Sequence, residues 1–181
     1  NELAYDGRGY DIDFADLEEK LADPLATMFI LCNPHNPVGK IWSAQKLAKI
    51  GELCAKHGIL VISDEIHCDI TSPGKSYMPF IGASETCKNI SITCVSPTKA
   101  FNIAGLQSSA AVVPNPKLRA KMAKAINDDE VGEGNAFSCI ATIAAFERGE
   151  AWLEQMREYV WQNRKIVSEF LQNELPQIRL V

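Results

Sequence analysis

Three side chains of different chemistry, Asn36, Asp64 and Lys99, each follow an apolar run that predicts a buried strand. A lysine amine can act as a nucleophile, a carboxylate can hold a proton beside a base, and an amide can donate a hydrogen bond. The carboxyl ends of parallel strands lie at one edge of a sheet, where ligands bind. We therefore expect the three side chains to share a pocket, although each has an ordinary alternative as a turn residue, a cap or a surface lysine.

Other short motifs lack the partners that their chemistry requires. Gly74-Lys75-Ser76 is not a P-loop, because the first glycine of that motif would fall on Asp69. The run from Ser96 to Lys99 matches the S-x-x-K of serine β-lactamases, but the accompanying S-D-N and K-T-G are absent. Serine hydrolysis is therefore a minor alternative, and no G-x-G-x-x-G dinucleotide fingerprint occurs.

Alternating strands and helices must position these residues. Asp13 and Ser43 are predicted to cap two helices, and strands are predicted at 27–32, 59–62 and 90–95, with a fourth at 107–113. Further helices are predicted at 116–127, 136–148 and about 150–175, and a last strand at 178–181. Six positions of the longest helix are expected to face a core: Trp152, Met156, Tyr159, Val160, Val167 and Leu171. The order of elements predicts an α/β fold with a mostly parallel sheet.

Composition limits the class of protein. The 181 residues are 46% hydrophobic and 23% charged, which is typical of a globular domain and excludes disorder. A net charge of -5 argues against nucleic acid as a partner, and no apolar run is long enough to span a membrane. The six cysteines form no C-x-x-C pair, and with three histidines no metal site is expected. Reduced cysteines predict a cytoplasmic protein.

Three segments together resemble a known family. These are N-P-H-N-P-V-G-K at 33–40, S-D-E-I-H-C-D at 63–69 and S-P-T-K-A-F-N-I-A-G-L at 96–106. In order and interval they are similar to the fold-type I pyridoxal-phosphate enzymes of the aminotransferase class I/II superfamily. The wording of the second and third segments, and of residues 5–18, is most similar to the MalY/PatB-like C–S lyases, also called cystathionine β-lyases.

The resemblance implies a role for each site residue. Lys99 would hold pyridoxal 5'-phosphate as a Schiff base and later take the Cα proton of the substrate. Asp64 would keep the pyridine nitrogen protonated, and Asn36 would donate a hydrogen bond to the phenolic oxygen. Ser96 would bond the phosphate. His67 occupies a place near that oxygen where many relatives carry tyrosine, with a plain loop or core histidine as the alternative.

One position departs from the family. Many relatives place an arginine eight residues after the lysine as a phosphate partner, and here Gln107 stands there without a charge. The phosphate would then depend more on Ser96, on backbone amides and on a helix N-terminus. The family pattern also implies an upstream aromatic residue and a downstream arginine that this chain does not contain.

The resemblance also implies an architecture and a reaction. The fold would be a three-layer sandwich, with residues 1–150 as the central part of the large cofactor-binding domain. Residues 151–181 would be a connecting helix and the start of a small domain, so the chain would be a fragment, inactive alone, of a homodimeric enzyme. The expected reaction is α,β-elimination of cystathionine or a related cysteine S-conjugate, an amino-acid substrate, to thiol, pyruvate and ammonia. Class I/II aminotransfer is the alternative, and a regulatory protein that keeps the fold is a second.

Overall fold

A four-stranded mixed sheet forms the centre of the computed structural model, which describes residues 2–181. A two-stranded antiparallel ribbon, β1 (Ala4–Tyr5) and β2 (Tyr10–Asp11), precedes it. The strands of the main sheet, in spatial order, are β3 (Met28–Cys32), β4 (Leu60–Asp64), β5 (Ser91–Val95) and β6 (Ala110–Val112). The first three are parallel and β6 pairs antiparallel with β5, which confirms an α/β fold with a mostly parallel sheet.

Seven α-helices accompany the strands in the described part of the chain. They are α1 (Phe14–Leu21), α2 (Ala44–Lys56), α3 (Phe80–Ala83), α4 (Glu85–Ile90), α5 (Pro116–Asp128), α6 (Ser138–Arg148) and α7 (Glu150–Glu174). The two predicted caps are confirmed, because the Asp13 side chain accepts from two amides at the start of α1 and Ser43 accepts from the Lys46 amide. The pair α3 and α4 was not anticipated, because each helix is too short to show a hydrophobic period.

The core lies between one face of the sheet and helices α1 to α4. Its buried residues include Leu17, Leu47, Ile50, Val61 and Phe80. Helices α2 and α4 approach closely where Gly51 faces Cys87, since a Cβ at Gly51 would lie 2.4 Å from the Cys87 sulfur. On the other face of the sheet Met28 is 50% exposed and Ile30 is 66% exposed, so helices α1 to α4 cover one side only.

Helices α6 and α7 lie at the carboxyl end of the sheet. The Ser108 hydroxyl, just before β6, lies 2.7 Å from the Thr142 hydroxyl of α6, and Arg157 Nε of α7 donates a 2.6 Å hydrogen bond to the Asp69 carbonyl. The Phe101 ring stacks on Trp152 with centroids 5.9 Å apart. These contacts place both helices beside the loops that follow β4 and β5.

Two predictions for the C-terminal quarter are wrong. Of the six expected core positions in α7, Trp152, Tyr159, Val160 and Val167 are between 47% and 69% exposed, and Met156 and Leu171 are only half-buried; Leu153 is the residue of α7 that is buried. Residues 178–181 form no strand. The fourth strand is also shorter than predicted, spanning Ala110–Val112, because its antiparallel pairing reaches only three residues of β5.

All six cysteines are free thiols, as expected for a reduced protein. Over residues 2–181, no helix has the length and apolar character needed to cross a membrane. The same residues contain no group of three or more His, Cys, Asp or Glu side chains arranged to hold a metal ion.

Candidate active site

Asp64 is the last residue of β4, the middle one of the three parallel strands, and lies at their carboxyl end. In the register of the strands it pairs with Cys32 of β3 on one side and Cys94 of β5 on the other. Paired residues project to the same face, so the carboxylate and two thiols form one row on the face that helices α1 to α4 leave open. Asp64 is half-buried, and its Oδ1 accepts a 3.2 Å hydrogen bond from the Ile66 amide.

The thiols beside Asp64 are held in the neutral form. Burial, and secondarily the charge of Asp64, raise the pKa of Cys32. The same two causes raise the pKa of Cys94, with Glu65 adding a smaller effect. The row therefore carries one carboxylate between two protonated thiols, and Asp64 has no anionic competitor on this face of the three strands.

Asn36 lies in a tight turn that follows β3. The turn is closed by a bridge between His35 and Lys40, whose amides and carbonyls bond each other at 2.7 and 3.3 Å. Gly39 has a φ of +64°, a conformation that glycine adopts without the strain a side chain would add. Asn36 is exposed, and its side chain has no hydrogen bond to any other residue in the described range, so its amide is available to a ligand.

Lys99 lies in the turn after β5, whose backbone is fixed by hydrogen bonds. The Phe101 amide bonds the Pro97 carbonyl at 2.9 Å, and the Ile103 amide bonds the Thr98 carbonyl at 3.0 Å. Thr98 and Ala100 on either side of Lys99 are buried, whereas Lys99 is exposed. Within residues 2–181 its ammonium forms no ion pair or hydrogen bond.

Ser96 is buried and its hydroxyl is already engaged. Ser96 Oγ donates to the Ser108 carbonyl at 2.5 Å, accepts from the Thr98 amide at 3.1 Å, and lies 2.7 Å from Thr98 Oγ1. These bonds close the loop that contains Lys99. Ser96 must give up the Ser108 carbonyl before it can donate to a phosphate, and the Thr98 hydroxyl is a second donor at the same place.

His67 lies in the turn that follows Asp64. The Cys68 amide bonds the Glu65 carbonyl and the Ile70 amide bonds the His67 carbonyl, both at 2.9 Å. His67 is half-buried. His67 is three residues beyond Asp64, in the loop at the carboxyl end of β4. The structure therefore places the loops of all five predicted site residues at one edge.

Two residues that hold the site together were not singled out from the sequence. Trp42 is 1% exposed, and its indole nitrogen donates a 3.0 Å bond to the Cys32 carbonyl, which fastens the loop of Asn36 to β3. Glu65 is completely buried and bonds residues of the 71–80 segment. The signal for Glu65 is a charged residue directly after a buried strand, but Asp64 beside it gives the same signal.

Gln107 also ends the local turn in an unusual conformation. It follows a turn of 3-10 helix at Ala104–Leu106 and has a φ of +52°, in the left-handed region. Its side chain is exposed and carries no charge. The position where the family resemblance implies an arginine therefore offers hydrogen bonding alone.

Comparison with known proteins agrees with this geometry. The family described as "Aminotransferase class I and II" matches residues 3–180. The chain is 46% identical over 179 residues to the cystathionine β-lyase PatB of Bacillus subtilis (strain 168), covering 99% of this chain and 46% of PatB. An aspartate aminotransferase of Geobacillus stearothermophilus is 27% identical over 148 residues, covering 82% of this chain and 37% of that enzyme.

Solved structures show the same fold. The C–S lyase of Staphylococcus hominis, solved with pyridoxal phosphate bound, has a TM-score of 0.87 and 40% identity, over 96% of this chain and 43% of that one. Cystalysin of Treponema denticola, which contains the same cofactor, has a TM-score of 0.92 and 30% identity, over 99% and 46%. The chain thus spans less than half the length of the relatives it matches. A family match across nearly the whole chain shows that this protein belongs to the class I and II aminotransferase family.

Proposed function

We propose that this chain is part of a pyridoxal phosphate-dependent C–S lyase. The observation that carries the proposal is the placement of Asp64, between two neutral thiols at the end of the central strand, at the same sheet edge as the exposed amine of Lys99. The similarity to PatB and to the C–S lyase of Staphylococcus hominis supports elimination as the reaction, since the aspartate aminotransferase of Geobacillus stearothermophilus is less similar.

The residues present fit the cofactor. A carboxylate with no anionic neighbour in its row suits a ring nitrogen that must stay protonated. An amine that forms no ion pair or hydrogen bond within residues 2–181 suits a covalent bond to a carbonyl carbon, and an exposed amide suits a phenolic oxygen. The buried pair of Ser96 and Thr98 hydroxyls lies at the start of the Lys99 turn, where a phosphate could be held.

Each residue would then have a defined task. When bound, the cofactor draws electrons from the substrate Cα, which acidifies its proton. Asp64 would keep the ring nitrogen charged, and Asn36, with His67 beside it, would orient the ring through its phenolic oxygen. Lys99 would take the proton from the substrate Cα once its amine is free. Loss of a thiolate from Cβ would follow, and water would convert the remaining three carbons to pyruvate and ammonia.

The organisation of the whole enzyme is part of the same proposal. Residues 1–150 would form the central part of a large cofactor-binding domain, and residues 151–181 the connection to a small domain. The exposed apolar side chains of α6 and α7 suit burial against further parts of a homodimeric, cytoplasmic enzyme. The substrate would be a cysteine S-conjugate such as cystathionine.

Two measurements on the intact protein that carries this chain test the proposal. Incubated with pyridoxal phosphate and cystathionine, it should release pyruvate, ammonia and a thiol. Incubated with an amino acid and a 2-oxo acid, it should transfer little nitrogen. Dominant amino transfer would identify an aminotransferase instead.

Attachment of the cofactor is tested separately. Borohydride should fix the cofactor to Lys99, and Lys99→Ala should abolish the fixed adduct. Lys121→Ala, an exposed lysine of α5 at a distance in sequence from every site loop, is the matched control. A reduced adduct on another lysine in Lys99→Ala would show that the assignment is wrong.

A further inference from the structure

The Glu65 carboxylate is completely buried and is held by three hydrogen-bond donors. Its Oε1 accepts from the Ser63 hydroxyl at 2.7 Å and from the Phe80 amide at 2.8 Å, and its Oε2 accepts from the Tyr77 hydroxyl. In the described part of the chain, no lysine, arginine or histidine lies within ion-pair distance of it. Neutral donors alone therefore satisfy the carboxylate. Burying a carboxylate without a cation is costly, and its hydrogen bonds are strongly directional.

Glu65 directly follows Asp64 but points to the opposite face of the sheet. Successive residues of a strand alternate in direction, so Ser63 faces the helices while Asp64 faces the open side. Glu65, the residue after β4, lies on the helix side because its carboxylate bonds Ser63 and the amide of Phe80. β4 ends at Asp64, but hydrogen bonds to both neighbouring segments hold the backbone on either side of the Asp64–Glu65 peptide. The Asn33 amide bonds the Asp64 carbonyl and the Glu65 amide bonds the Cys94 carbonyl, both at 2.9 Å.

The partners of Glu65 belong to a segment that is fixed at a second point. Asn33, which follows β3, donates from Nδ2 to the Met78 carbonyl at 2.8 Å. Burial, with Glu65 as the next cause, raises the pKa of Tyr77, so the phenol keeps its proton as a donor. Residues 77–80 are thus fastened to the ends of β3 and β4 at once, and Phe80 begins α3 inside the core.

We propose that Glu65 is a positioning residue that sets the direction of the Asp64 carboxylate toward the cofactor ring nitrogen. This rests on the proposed function, because it assumes that Asp64 meets that nitrogen. Anchoring Glu65 on the core side holds the Asp64–Glu65 peptide extended. Asp64 can then project only to the open face.

The physical reason is that a carboxylate must be aligned to keep a proton on a ring nitrogen. A residue that orients a binding side chain commonly changes the affinity or reactivity of the site without touching the bound group. If the anchor is removed, the end of β4 can rotate and the carboxylate spends less time aligned. A bound cofactor ring would then carry less positive charge, and the nitrogen proposed to join it to Lys99 would become more basic.

The test is a pH titration of the absorbance of the bound cofactor in the intact enzyme. Glu65→Ala should raise the titration midpoint by on the order of one pH unit. Tyr77→Phe, which removes one of the three donors, should raise it by less. Glu65→Gln should bring it close to the wild-type value, since the amide keeps the shape and can still accept from Ser63 and Phe80.

Ile50→Val is the matched control, because Ile50 is completely buried in α2 and lies outside the site. It should lower the unfolding temperature and leave the midpoint unchanged. A midpoint in Ile50→Val that moves as far as in Glu65→Ala would assign the effect to general destabilisation and overturn the proposal. An unmoved midpoint in Glu65→Ala, or in Tyr77→Phe if Glu65→Ala does not fold, would also overturn it.

The outcome separates the two proposals. An intact protein that takes up no cofactor overturns both of them. Normal attachment at Lys99 with an unmoved midpoint in these variants overturns the role of Glu65 alone.

Discussion

The indole nitrogen of Trp42 donates a 3.0 Å hydrogen bond to the carbonyl oxygen of Cys32, the last residue of β3. The bond spans the turn that contains Asn36, and the His35 ring packs edge-on against the indole with centroids 5.8 Å apart. Trp42 therefore ties together the two ends of the segment that presents Asn36.

Trp42→Phe should destabilise the protein by about 1–3 kcal/mol, because the Cys32 carbonyl loses its donor and the core loses volume. Denaturant unfolding measures the change. Trp152→Phe is the control, since Trp152 is 48% exposed and should cost less. Equal losses in the two variants would mean that the Trp42 bond contributes nothing measurable.

Asp64→Asn in the intact enzyme should keep the cofactor but lower turnover about a hundredfold or more. An amide cannot stabilise a protonated ring nitrogen as a carboxylate does. Steady-state kinetics with cystathionine give the change, and Asp69→Asn, in the turn that follows Asp64, is the comparison. Turnover close to wild type in Asp64→Asn would remove the electrostatic role assigned to that residue.

Gly149→Ala should destabilise the junction between α6 and α7 by about 1–3 kcal/mol. A Cβ there would lie 2.3 Å from the Ala145 carbonyl oxygen and 2.4 Å from Phe101 Cε1. Thermal unfolding of Gly149→Ala and of Gly9→Ala, whose Cβ would meet nothing within 4 Å, measures the cost. Equal stability of the two variants would contradict the close approach.

Stability should fall in alkaline solution partly through Cys54. Burial raises the pKa of this thiol to about 12. In the unfolded chain the thiol ionises above about pH 8.5, so the unfolded state binds fewer protons there and the free energy of unfolding falls as pH rises. The contribution is complete below that pH and disappears as pH approaches 12.

Cys54→Ala should flatten this alkaline decline. Denaturant unfolding at several pH values between about 7 and 11 measures it. Cys139→Ala, at an exposed position, is the control and should leave the slope unchanged. The same slope in wild type and Cys54→Ala would assign the decline to other groups.

The sequence predicted the two helix caps and the three parallel strands correctly, because these features depend on patterns of residues close in sequence. Asp13 and Ser43 cap their helices because a side-chain oxygen next to free amides needs no distant partner. The ends of β3, β4 and β5 bring Asn36, Asp64 and Lys99 to one edge because parallel strands leave no other arrangement.

Contacts between residues distant in sequence could not be predicted from local sequence patterns. The periodic apolar positions of α7 mark a stripe but do not say what covers it, and Tyr159 is 69% exposed. The antiparallel direction of β6 depends on how the chain turns after Lys99, which no local pattern encodes. The hydrogen bond between Tyr77 and Glu65 joins residues twelve positions apart. The loop between them has no hydrophobic period from which the contact could be predicted.

The bond between Ser96 and Ser108 closes a ring of chain at the base of the Lys99 turn, and the pairing of β5 with β6 continues that closure. The backbone around the lysine is thus held by hydrogen bonds within the protein itself. The covalent bond proposed for Lys99 would then freeze the rotamers of one long side chain, at about 2 kcal/mol of lost entropy. Ordering a flexible loop on binding would cost about 1–2 kcal/mol of conformational entropy for each residue. Because the Ser96–Ser108 bond already orders this turn, binding would not incur that cost.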